Sequence, residues 1–102
     1  MTKAGKCVPR LDIEERGALE KALSRVSGKV YLFGSRLNPN VRGGDIDILV
    51  FSDRDAYRLS KGISTTFFKN CEEKVDVVVM DPKKMTREQK AFVKTLKMER
   101  LK

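Results

Sequence analysis

Apolar residues recur at two different periods along this chain, and the change from one to the other marks out its elements. Ala18, Leu19, Ala22, Leu23 and Val26 share one face at helical spacing, with Glu20, Lys21, Ser24 and Arg25 opposite them. This predicts a helix over 13–26, opened by Asp12 and Glu15 as a capping box and closed at Ser27-Gly28. Continuous apolar runs follow and predict strands at 29–33 and about 45–51, joined by a loop that carries Asn38-Pro39-Asn40 and Gly43-Gly44. Ser52-Asp53-Arg54-Asp55 suits a turn and cap before a second helix at 56–69, where Ala56, Leu59, Ile63 and Phe67 line one face and Gly62 interrupts the middle. Lys74–Met80 is a β-branched run broken by Asp76 and stopped by Asp81-Pro82. From about Thr86 a third helix places Met85, Phe92, Val93 and Leu96 on one side and Lys83, Arg87, Lys90, Lys94 and Lys97 on the other. The order α-β-β-α-β-α predicts an α/β (α+β) fold, a three-stranded mixed sheet backed by helices.

Length and composition narrow the class. The 102 residues suit one small domain. No stretch reaches the roughly 18 apolar residues of a membrane span, and the basic N-terminus MTKAGKCVPR lacks the apolar core of a secretory signal, so a cytoplasmic protein is expected. Cys7 and Cys71 are far apart and histidine is missing, which sets aside zinc sites and histidine acid–base catalysis. Free thiols in a reducing compartment are the simpler reading of the cysteines, a disulfide the alternative. The net charge of +8 is uneven: residues 83–102 hold eight Lys/Arg against two Glu, residues 1–10 add three cations, and the middle is balanced. Cationic ends around an acid-bearing centre suit an anionic partner, a nucleotide or a nucleic acid held by the basic C-terminal helix. A solvated, highly charged surface of the kind found in thermophiles is the alternative.

The chemistry concentrates between the first two strands and in the third. Asp45 and Asp47 are spaced i, i+2, so a strand points both carboxylates to one side. Two such charges repel unless a cation lies between them, and hard divalent cations prefer oxygen ligands. Asp76 is a lone carboxylate in VDVVV, costly to bury unpaired. It is either an edge-strand residue facing water or, if the third strand lies beside the second, the third member of a metal site. Gly34-Ser35 ends the first strand, where glycine allows backbone N–H groups and the Ser35 hydroxyl to approach phosphate oxygens. Arg36 and Arg42 lie in the following loop, as neutralising partners for a triphosphate or as surface arginines. Asp53, Asp55, Glu72 and Glu73 read as solvated or capping residues, and Tyr57 and Phe68 as packing residues.

Gly34-Ser35, Asp45-Ile46-Asp47 and Asp76 together resemble the minimal nucleotidyltransferases of the DNA polymerase beta-like superfamily, over nearly the whole chain. The resemblance implies a single minimal domain over 1–102, with a basic tail at 1–10 and a basic C-terminal helix at 83–102. It implies transfer of a nucleoside monophosphate, AMP from ATP or another NTP, to an acceptor hydroxyl with release of pyrophosphate. Gly34 and Ser35 would hold the triphosphate, Asp45 and Asp47 would bind one or two Mg²⁺, and Asp76 would complete the metal site or help deprotonate the acceptor. This is chemistry that two metals can support without histidine. Small members also resemble the antitoxin half of two-gene modules whose partner is a helical HEPN ribonuclease. Two features depart from the family pattern. Gly44 stands where Ser often precedes the first Asp, with nine residues between Ser35 and Asp45, one fewer than usual. Arg36-Leu37-Asn38 replaces the usual Arg-x-Gly. An interaction module with an idle nucleotide site and a nucleic-acid-binding protein are the competing classes.

Overall fold

A computed structural model describes residues 11–38 and 44–102. Arg42, Cys7, Pro39-Asn40 and Gly43 lie outside the described residues. The elements run α1 (Ile13–Leu23), β1 (Val30–Phe33), a 3₁₀ turn (Gly34–Leu37), β2 (Ile46–Phe51), α2 (Ala56–Cys71), β3 (Val75–Met80), α3 (Arg87–Thr95) and β4 (Met98–Arg100).

Local chemistry starts each helix. The Asp12 carboxylate accepts from the Glu15 N–H at 2.7 Å, and Glu15 Oε1 accepts from the Asp12 N–H at 3.0 Å, so the expected capping box forms. A second box joins Thr86 and Gln89 ahead of α3. Asp55 caps α2 by accepting from the Arg58 N–H at 2.9 Å, and α2 ends on Glu72 in the left-handed region (φ 56°). Between α1 and β1 the chain passes Gly28 at φ +114°, whose backbone lies so close to the Phe51 carbonyl that a side chain would collide with it.

The sheet order is β3-β2-β1-β4, with β2–β3 parallel and the other two pairs antiparallel. One face carries Val30, Leu32, Ile46, Ile48 and Val50, all buried with Ala18, Leu19 and Leu23 of α1 and Ile63 and Phe67 of α2. Alternation sends Tyr31, Phe33, Asp47, Leu49, Phe51 and Asp76 to the other face. There Tyr31 meets Phe51 edge-to-face at 5.8 Å, and Phe92 of α3 meets Phe33 in the same way at 6.1 Å. Asp47, Asp76 and the aromatic pairs thus share the face opposite α1 and α2.

Several expectations are corrected. The sheet has four strands rather than three, because the last segment is not one continuous helix. α3 ends at Thr95, Leu96 is extended, and Met98–Arg100 pairs antiparallel with β1 in the register Phe33↔Met98, Tyr31↔Arg100. Backbone bonds from the Leu101 N–H to the Val30 carbonyl (2.8 Å) and from the Val30 N–H to the Lys102 carbonyl (3.1 Å) continue the ladder. Without β4, β1 would present an open edge of unpaired polar groups. Lys83 and Lys97 therefore flank α3 rather than lying on it, and Arg87, Lys90 and Lys94 are its exposed cations. Of its apolar face, Phe92 touches the sheet yet stays 41% exposed, and no α3 residue is buried. Tyr57 and Phe68, expected to pack, are exposed. Among the described residues no helix is long and apolar enough to cross a membrane.

Candidate active site

β2 supplies the first two carboxylates. Asp45 is exposed just before the strand, and Asp47, two residues on, is half-buried on the same face. β3 runs parallel to β2 in a register that sets Asp76 directly beside Asp47. The sequence expectation that the third strand lies beside the second and brings Asp76 to Asp47 is matched by this placement, and β3 is also an edge strand. Its side chain is 44% exposed, with Lys74 Nζ 4.0 Å away. Burial raises the Asp47 carboxyl above the usual Asp range, and the charges of Asp76 and then Asp45 push it further. Asp47 therefore feels both of its acidic neighbours.

The turn after β1 lies against this centre. Phe33, the last residue of β1, pairs with Asp47, so the chain leaves the sheet beside the carboxylate. Gly34 follows at φ +83°, and a Cβ there would collide with the Asp47 carboxylate. Glycine is needed here for both conformation and space. Ser35 comes next, and Gly44, at φ +85°, backs onto it: a Cβ at Gly44 would lie 2.5 Å from Ser35 Oγ. This accounts for the departure seen in the sequence. A serine at position 44 would need both an unfavourable φ and the space that Ser35 fills. Gly34, Ser35, Gly44 and Asp47 thus form one continuous patch.

The Arg36 guanidinium reaches from this patch to α1. It is buried and makes a two-pronged pair with Glu15, Nη1 to Oε1 and Nη2 to Oε2 each at 2.8 Å, while its Nε donates to the Gly44 carbonyl at 3.0 Å. The sequence placed Arg36 among the nucleotide-binding candidates; in the structure its guanidinium is paired with Glu15 at 2.8 Å, and Glu73 lies at 3.9 Å. Burial by itself would raise the Glu15 carboxyl, but hydrogen bonds from Arg36 and from the Asp12 N–H hold it below its ordinary value. Glu73, expected to be merely solvated, is pushed up chiefly by its contact with Glu15. It also accepts from Cys71 Sγ at 3.3 Å, and burial together with Glu73 pushes the Cys71 thiol up to about 11. Oxygens of Asp12, Glu15 and Glu73 gather within 4.8 Å of one another, but Arg36 holds this group, which makes it a poor metal centre. Sequence reasoning assigned Glu15 to capping alone. The signal for more was present, since position 15 lies on the same helical stripe as Ala18, Leu19 and Ala22.

A glycine-serine turn thus lies against the Asp47 carboxylate at one end of a mixed sheet, with Asp76 beside it. The sequence model for the nucleotidyltransferase domain matches residues 15–102, and the chain belongs to that family. No curated protein matches the chain. Asp47 and Asp76 on adjacent strands, with Asp45 just before β2, offer oxygen donors of the kind a hard divalent cation prefers, although among the described residues the carboxylate oxygens that gather within 4.8 Å are those of Asp12, Glu15 and Glu73.

Proposed function

We propose that this protein transfers a nucleoside monophosphate, AMP from ATP in the simplest case, to an acceptor hydroxyl. The observation that carries this reading is the close approach of the Gly34 backbone to Asp47, with Asp76 in register alongside. A triphosphate gripped at Gly34-Ser35 would have its phosphates next to the carboxylates. Asp45, Asp47 and Asp76 are the residues that would hold one or two Mg²⁺. Bound there, the metal would supply positive charge to the attacking and leaving oxygens. The acceptor oxygen forms a bond to the α-phosphorus, the bond to the bridging oxygen breaks, and pyrophosphate carries away the electron pair. Asp76, at the edge-strand end of the constellation with its side chain 44% exposed, accepts the hydroxyl proton directly or through water.

The acceptor we infer is a hydroxyl on a protein, after the HEPN-type helical partner that the sequence resemblance suggests. Incubation with ATP labelled at the α-phosphate tests both levels. Label on a co-expressed HEPN protein, lost with Asp47→Asn, is the expected outcome. Label on neither protein nor nucleic acid, with Mg²⁺ present, would overturn the transferase reading.

A further inference from the structure

Glu15 and Arg36 are the charged side chains buried among the described residues, and neither belongs to the transfer chemistry above. A buried ion pair is weak evidence for stability, since apolar residues of similar volume often serve as well. What it holds in place is the more informative question. The guanidinium is planar, and its three engaged nitrogens fix its orientation: two on Glu15 and the third on the Gly44 carbonyl. Glu15 is itself fixed by the Asp12 N–H at the start of α1. The Gly44 carbonyl belongs to the peptide that carries the Asp45 N–H. Arg36 directly follows Ser35. One side chain thus ties the end of the phosphate turn to the peptide that launches the first carboxylate, and α1 holds that side chain still.

We propose that Glu15 and Arg36 are positioning residues of the transfer site, setting the Gly44–Asp45 peptide against Ser35 so that phosphate grip and metal carboxylate keep one spacing. Their effect on nucleotide rests on the transferase reading above; their effect on the Gly44–Asp45 peptide does not. Glu15→Gln keeps the shape and the acceptor for the Asp12 N–H but weakens the two-pronged pair. Arg36→Lys keeps the charge and loses the fork. Each change is expected to weaken Mg²⁺-dependent ATP binding about tenfold, at a temperature where melting curves show folded protein, and the double variant is expected to lose no more than either single one. Loss with Arg36→Lys alone would mean that Arg36 contacts phosphate directly, and native affinity in both would leave a merely structural pair; either result overturns the proposal. Glu15→Asp, which keeps the charge and shortens the reach, serves if the other variants unfold, with the same expected loss. Amide hydrogen exchange at Asp45 in nucleotide-free protein gives a separate reading. Faster exchange at Asp45 in the variants supports the clamp even if the native chain binds no ATP, a result that would count against the transferase reading alone. Unchanged exchange overturns the clamp.

Discussion

At the scale of single residues, the site combines one strained charge cluster with two glycines that leave it room. Asp47 is the most informative position. Its raised carboxyl means that the folded chain holds the proton more tightly than the unfolded chain, so between the ordinary Asp value and the raised one the native state binds more protons. Stability from this group is therefore present at low pH and lost as pH rises through the raised value. Asp47→Asn removes that loss. Without divalent ions the variant is expected to melt a few degrees above the native chain at neutral pH, with the gap closing in acid. Equal melting temperatures at every pH would contradict the cost of holding this carboxylate charged, half-buried and beside Asp76 and Asp45. Ser35→Ala should weaken triphosphate binding by about 1–2 kcal/mol, the worth of one hydrogen bond to a charged group. Gly34→Val should abolish it, because the side chain would occupy the space of the Asp47 carboxylate; calorimetry on both variants checks the order. The strand positions of Asp47 and Asp76 were legible in the sequence because apolar flanks suffice to mark the strands, whereas Asp45, expected to open β2, stands just before it. Arg36 was not, because its partner Glu15 lies 21 residues away and only the packing of α1 brings the two together.

At the scale of elements, α1, α2 and the first three strands were legible because each carries a clean period and a stop signal. β4 was hidden. Met98-Glu99-Arg100 is short and charged, and Leu96 and Lys97 continue the helical spacing of α3 up to the point where the backbone turns extended. Nothing local reveals that β1 needs a second neighbour. The strand has a measurable consequence: Leu101→Pro removes the N–H donated to Val30 and should destabilise the fold by about 1–3 kcal/mol. A tail that merely continued a surface helix would tolerate the change, so an unaltered denaturation midpoint would contradict the ladder. α3 keeps three exposed cations, Arg87, Lys90 and Lys94. If they serve docking, Lys90→Gln with Lys94→Gln should reduce partner binding in a salt-dependent way and leave ATP affinity unchanged. Lost ATP affinity would place α3 in the nucleotide site instead.

At the scale of the whole molecule, the sheet divides its labour by face. One face builds the core with α1 and α2, and the other brings a glycine-serine turn from β1, two carboxylates from β2 and a third from β3 to one end. Membership of the nucleotidyltransferase family covers this whole arrangement, from Glu15 to the last residue of β4 and beyond. The general fold was legible because the order of elements and the acidic pattern agree. The packing of the turn was less so, since the fit of Gly44 to Ser35 depends on a φ that only the folded loop displays. The central claim is that three aspartates and the Gly34-Ser35 turn form one cation-dependent triphosphate site. Calorimetric titration of ATP into the native chain and into the Asp45→Asn/Asp47→Asn double variant, each with and without Mg²⁺, tests it most directly. The account predicts binding by the native chain in the presence of Mg²⁺ and in none of the other three conditions, whereas equal affinity in all four would contradict it.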